Sequence, residues 1–321
     1  MGAQPQKGQR MTYLDRMREQ DAHTTGLGHG VALMKRNNRR VWLSKRRKVL
    51  GATDAVAVLG YSKFRTPVDV WGEKTGRWQP DDLAGKYVVE RGNLLESLIL
   101  AEWAKRNDAT PLDFPPLIGH PTYPMLAASL DGIGLVDGEP VICEAKAVTW
   151  RTKGDWWNDA MLVPDQYAVQ VLIQLAVTGL ETAHICADVA GEFTQVEIRR
   201  DRDFEAWALP ALGDWWKRHV DGDETPDPDP VRDYPHLNRI WVPDPGVTID
   251  ATPELLRDVM AYQAAAAKAK EHKARADELR GHIRIAMRDA TTVVDPWTGD
   301  RLAGITKSGA LSVAKQQAVT E

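Results

Sequence analysis

Residues 129–148 read SLDGIGLVDGEPVICEAKAV, and their pattern decides the fold. Apolar residues alternate on both sides of Asp137-Gly138, a pair suited to the two positive-φ positions of a type I′ turn, so the stretch predicts a β-hairpin. A two-residue loop pairs 136 with 139 and 133 with 142, and it sets Asp131 opposite Glu144. Partners across a hairpin hold their Cβ atoms about 4.5–5.5 Å apart. Because side chains alternate along a strand, Glu144 and Lys146 share one face while Ala145 turns away. Two carboxylates so placed repel each other unless a proton or a cation lies between them, and hard oxygen ligands suit Mg²⁺ or Mn²⁺ better than zinc. A metal held there activates a water and stabilises the charge that develops on a phosphodiester, with Lys146 orienting or deprotonating that water. The other reading of the same spacing is an ordinary cross-strand pair, with Glu144 and Lys146 on a solvated edge.

Working outward, residues 86–106 carry Leu95, Leu98, Ile99 and Trp103 at helical spacing, which predicts a helix with that face buried and Glu96 at its edge. Glu96 then either points at the sheet or pairs with Arg91 or Lys105. Downstream, DQYAVQVLIQLAVT (165–178) predicts an apolar helix, followed by strands ending near 191 and 200, so the order is strand, helix, strand. Gln166, Gln170 and Gln174 share one face of that helix, as a stripe either solvated or turned to the site. Before the hairpin, VLGATDAVAVLG (49–60) predicts a helix with Thr53 as N-cap, and TPVDVWGEKTG (66–76) a second one. A Trp-rich helix is expected at about 201–220, an exposed Pro/Asp-rich linker or domain edge at 221–235, a long helix over roughly 252–290, and a final hairpin within 291–309.

The chain has 321 residues, enough for one large domain and an appendage. No apolar run approaches the roughly 20 residues of a membrane span, and the first twenty residues lack the apolar core of a secretory leader, so a soluble, cytoplasmic protein with no membrane contact is expected. Cys143 and Cys186 are too few for a disulfide framework or a tetrahedral zinc site, which agrees with a reducing compartment. The net charge is −4, yet charge is segregated: residues 35–48 hold eight Lys or Arg and no acid, whereas 221–233 are strongly acidic. The basic stretch is either a phosphate-binding surface or a solvated loop and helix start.

Several blocks occur in order: GATDAVAVLG, TPVDVWGEKTG, RGNLLE, the pair AASLDG and CEAKA, and DQYAVQVLIQLAVTG. Over about residues 42–220 this set resembles the lambda-type exonuclease and YqaJ-like viral recombinase family of the PD-(D/E)xK nucleases. The resemblance implies an α/β fold, a mixed α+β sheet flanked by helices, here with a C-terminal helix-plus-hairpin extension. It also implies a Mg²⁺-dependent exonuclease (Mn²⁺ being an alternative ion), with two ions, acting on double-stranded DNA ends from 5′ to 3′ in phage-type recombination. A ring-shaped homo-oligomer and a single-strand annealing protein are the expected partners. Domains follow as a polar lead (1–40), a nuclease domain (41–220), an acidic Pro-rich linker (221–250) and a helix with terminal hairpin (251–321) for oligomerisation or partner contact.

Carried over by position, Asp131, Glu144 and Glu96 are similar to the family's metal-binding carboxylates, the Ala145 carbonyl to a backbone ligand, Lys146 to the catalytic lysine and Gln170 to the motif glutamine. Arg46 and Thr53 are similar in position to residues that hold the terminal phosphate, with Arg47 or Lys48 as alternatives. Tyr167 and Trp156 are aromatic candidates for DNA contact, Trp156 together with Trp157 either stacking on bases or belonging to the core. Leu130 stands where the family commonly has a proline, which supplies no ligand. Two other functions remain open at this point: a structure-specific or restriction-type endonuclease, and an inactive DNA-end-binding module that recruits an annealing protein.

Overall fold

The computed structural model describes residues 23–24, 28–34, 38–80, 85–150, 152–156 and 163–314. They form two compact units that divide after Val242. The first begins with β1 (His23–Thr24), β2 (Val31–Ala32), α1 (Arg39–Arg46), α2 (Ala52–Val58), α3 (Pro67–Lys74) and α4 (Tyr87–Arg106). It continues with β3 (Thr110–Pro111), β4 (Ile118–Gly119), β5 (Ala127–Ala128), β6 (Gly132–Val136), β7 (Glu139–Val148), α5 (Asp165–Thr178), β8 (Thr182–Val189), β9 (Glu192–Arg199), α6 (Arg202–Trp215) and α7 (Leu237–Ile240).

The central sheet runs β3-β6-β7-β8-β9, with β7 and β8 parallel and every other pair antiparallel. Parallel neighbours need a crossover, and α5 supplies it. The β6–β7 register runs from Gly132 opposite Cys143 to Val136 opposite Glu139, as the two-residue turn requires. Asp137 and Gly138 both adopt positive φ, 51° and 84°, which is the type I′ geometry. The sheet is covered on both faces. Ile142 and Val148 of β7 join Val171 and Ile173 of α5 in the main core, whereas Val141 and Cys143 pack with Ile99 and Trp103 of α4 on the other side. The fold is thus a mixed sheet flanked by helices.

Local chemistry explains the helix starts and differs from expectation at two places. The N-cap of α2 is Gly51 rather than Thr53, because the Asp54 carboxylate turns back to accept the Gly51 N–H at 3.0 Å. In α3 a reciprocal capping box forms, with Thr66 Oγ1 accepting from the Asp69 N–H and Asp69 Oδ2 from the Thr66 N–H. On α4, Leu98 does not belong to the buried face: it is 60% exposed, while Ile99 and Trp103 are buried. Leu98 lies on the side of the helix turned from the sheet.

Residues 229–236 do not stand free as a linker. Asp233 is fully buried, accepting from Thr66 Oγ1 at 2.5 Å and from the Asp229 N–H at 2.8 Å. His236 Nε2 lies 2.9 Å from Asp69 and its ring stacks on Trp78. These contacts strap the segment to α3, which the Pro/Asp composition alone did not suggest.

The second unit contains α8 (Pro253–Met287), β10 (Thr292–Val294), β11 (Arg301–Ile305) and β12 (Leu311–Val313). The expected terminal hairpin is a three-stranded antiparallel sheet, β12 adding to the free edge of β11. Thr252 caps the helix by accepting the Leu255 N–H, and among the described residues Met287 and Ala303 are the unit's buried hydrophobic side chains. Among the described residues no helix is long and apolar enough to cross a membrane.

Candidate active site

Strand alternation sends Glu144 and Lys146 of β7 toward α5, on the same face as Ile142 and Val148. Glu144 is only 2% exposed, and its carboxylate is hydrogen-bonded to three side chains. Its Oε1 accepts from Lys146 Nζ and from Gln170 Nε2, both at 2.5 Å. Its Oε2 accepts from Gln174 Nε2 at 2.6 Å. Lys146 Nζ also reaches Gln170 Oε1 at 3.2 Å, which closes a triangle of lysine, glutamate and glutamine. A buried carboxylate requires such donors, since leaving it unpaired in low dielectric costs several kcal/mol.

Asp131 stands one residue before β6, across from this group, and its Oδ2 accepts the Ala145 N–H at 2.9 Å. Burial and the Glu144 charge push Asp131 up to about 8, against the opposing pull of Lys146 and the Ala145 N–H. Glu96 of α4 is raised as well, by burial and then by Glu144, with Lys146 acting the other way. Glu96 therefore feels the site's charge, and the alternative Lys105 pairing is absent: Lys105 approaches Glu102 instead, at 3.7 Å. For Lys146, burial lowers the pKa, but Glu144 and Asp131 outweigh it, so the net shift is upward and the side chain is an ammonium.

The glutamine stripe is not solvated. Gln166, Gln170 and Gln174 are all buried, and two of the three hold Glu144. The sequence left Gln166 and Gln174 open between a solvated stripe and the site, and both are buried, Gln174 holding Glu144 and Gln166 accepting the Lys63 N–H.

Of the aromatic candidates, Tyr167 lines the site, with Lys146 Nζ 4.9 Å from its ring centroid. Trp156 stacks behind Tyr167 at 5.4 Å and is 6% exposed. That burial makes Trp156 a core wall rather than a base-stacking surface, because its face is already occupied. Trp157 lies outside the described residues. Among the described residues, no three His, Cys, Asp or Glu side chains form a ready-made metal cage.

The basic corner assembles separately. Arg46 Nη2 donates to Thr53 Oγ1 at 2.8 Å, so the two residues read as phosphate ligands are neighbours, and the Arg46 guanidinium also sits 4.9 Å from the Trp42 ring centroid. Arg47 is exposed and lines an open depression of about 690 Å³ together with Arg39, Arg40 and Lys48. Beneath the corner, buried Asp54 meets Lys74 at 2.7 Å and Arg65 at 2.5 Å, and Lys74 Nζ donates to the Arg46 carbonyl. Burial alone raises Asp54, but Lys74, Arg65 and Arg46 together hold it well below the usual carboxylate range.

Residues 41–181 match the model of the YqaJ-like viral recombinase domain. The chain is 28% identical over 258 residues to the protein YqaJ of Bacillus subtilis (strain 168), covering 79% of each. Among solved structures it is similar to an alkaline exonuclease (LHK-Exo) from Laribacter hongkongensis, at 18% identity and a TM-score of 0.48 over 57% of this chain and 93% of that one. A phage-related exonuclease from Haemophilus somnus 129PT follows at 11% identity and a TM-score of 0.39, over 55% and 96%. The ordered blocks, the hairpin register and the domain match agree: residues 41–181 of this chain are similar to the YqaJ-like viral recombinase domain.

Proposed function

We propose that this protein is a metal-dependent exonuclease that removes nucleotides from one strand of duplex DNA at an end, running 5′ to 3′ and leaving a 3′ single-stranded tail for recombination. The observation that carries the reading is the convergence of Asp131, Glu144 and Lys146 on one face of a buried hairpin, with Glu144 gripped from α5. The donor set fits a hard divalent cation: the Glu144 charge raises both Asp131 and Glu96, so the cluster is short of positive charge, and Asp131, Glu144, Glu96 and the Ala145 carbonyl offer only oxygen. Asp131, Glu144, Glu96 and the Ala145 carbonyl would hold two Mg²⁺ ions, which would supply an activated water and neutralise charge developing on the phosphate.

The chain's own residues do the rest. Gln170 and Gln174 fix the Glu144 carboxylate, and the Lys146 ammonium orients the attacking water and stabilises the anionic phosphorus centre. Arg46 and Thr53 receive the terminal phosphate, and the exposed basic residues of α1 hold the backbone beyond it. Ring-shaped self-association and pairing with a single-strand annealing protein belong to the same reading.

The test is digestion of linear duplex labelled at either the 5′ or the 3′ end, with and without Mg²⁺, by wild type and Glu144→Ala. Early release of 5′-labelled mononucleotide, abolished by chelator and by the substitution, is the expected result. Rapid linearisation of covalently closed circular DNA overturns it in favour of an endonuclease.

A further inference from the structure

The segment joining α2 to α3, residues 59–66 with the sequence LGYSKFRT, presents two aromatic rings to solvent: Phe64 at 74% exposure and Tyr61 at 41%. The segment is nonetheless pinned along its length. Ser62 Oγ accepts the N–H groups of Phe64 and Arg65, at 3.2 and 3.0 Å. Arg232 Nη2 donates to the carbonyls of Ser62 and Arg65, at 3.0 and 2.8 Å. The Arg65 guanidinium is held by Asp54 and Glu73, both at 2.5 Å. A loop fixed from its own serine, from the 229–236 strap and from a buried carboxylate holds Phe64 outward in one geometry.

Its position joins the two halves of the site. At one end the Lys63 N–H donates to Gln166 Oε1 at 3.3 Å, and Gln166 lies one helical turn, about 6 Å, from the Gln170 that grips Glu144. At the other end Arg65 shares Asp54 with Lys74, whose ammonium is bonded to the Arg46 carbonyl beside Thr53. An exposed π-face on a loop bonded to Gln166 on one side and to the Asp54 network on the other matches a nucleobase, and base–aromatic stacking is tolerant of sequence because every base has a π-face.

We propose that the 59–66 loop is a preformed stacking platform for the nucleobase at the DNA terminus, with Phe64 as the ring on which the base lies and Tyr61 as its second aromatic. The proposal rests on the nuclease reading. Its test is the initial digestion rate, at subsaturating DNA with Mg²⁺, of two 5′-phosphorylated duplexes that differ only in whether the 5′-terminal nucleotide carries its base or is abasic. Wild type, Phe64→Ala, Phe64→Leu and Phe64→Trp are compared as full-length chains, with circular dichroism confirming their fold.

Wild type is expected to favour the base-bearing end by about 5- to 140-fold, the range of one aromatic–base stack. Phe64→Ala and Phe64→Leu lose that preference, Leu showing that apolar bulk alone does not suffice, and Phe64→Trp keeps it. Unchanged preference in Phe64→Ala and Phe64→Leu, with digestion intact, overturns the platform and leaves the nuclease standing. A wild type inert toward both duplexes overturns the nuclease reading and the platform with it.

Discussion

Gln174 Nε2 donates to Glu144 Oε2 at 2.6 Å, while the Gln174 Oε1 is buried with no hydrogen-bond partner among the described residues. A fully buried amide that spends its donor on a carboxylate and leaves its acceptor unmet is maintained at a cost of about 1–3 kcal/mol. The return is orientation of Glu144. We expect Gln174→Leu to keep the fold but raise the Mg²⁺ concentration for half-maximal digestion by about 10- to 100-fold, the usual effect of removing a group that orients a metal ligand. A Mg²⁺ titration of digestion rate reads this directly, and an unchanged midpoint removes Gln174 from the site.

Lys146 offers a sharper separation of fold from chemistry. Its ammonium meets Glu144 at 2.5 Å, yet Glu144 keeps two amide donors when the lysine is gone. Lys146→Met is therefore expected to cut digestion by about 100-fold or more, while the chain still folds and still binds duplex ends. Digestion and fluorescence anisotropy on the same preparation check both halves.

The Asp54 network predicts a pH dependence of stability. Its carboxyl is held below the usual range, so its contribution is fully present above the unfolded value of about 3.9 and is lost as pH falls through that value toward the depressed one. Asp54→Asn leaves buried Lys74 without its counter-charge, and a loss of about 3–5 kcal/mol is expected at pH 7. Thermal melts of wild type and variant at pH 7 and at pH 3 test the sign: the gap should be wide at pH 7 and narrower at pH 3.

Arg46 and Thr53 form a pair whose purpose differs from that of Asp54, because both stay reachable from solvent. If they receive the terminal phosphate, Arg46→Ala lowers the preference for 5′-phosphate over 5′-hydroxyl ends by about 10-fold or more, the size of a charge-assisted hydrogen bond. Comparing the two ends with wild type and variant tests it, and an unaltered ratio moves the phosphate site to Arg47 and its neighbours in the basic depression.

Much of this site was legible in the sequence because it depends on local rules. Asp137-Gly138 dictates the turn, the turn dictates the register, and the register places Asp131 opposite Glu144 with Lys146 on the same face. The periodicity of 165–178 likewise gave the crossover helix, and its three glutamines marked a polar stripe. The tertiary structure alone decided which way that stripe turns, since a helix's rotation about its axis is set by what it packs on, and β7 offered a buried carboxylate in need of donors. The strapping of Asp233 and His236 onto α3, the burial of Trp156 behind Tyr167 and the outward pinning of Phe64 are decided the same way. Each depends on partners far away in the chain, and no local pattern of Pro, Asp or aromatic residues encodes which distant surface will satisfy them.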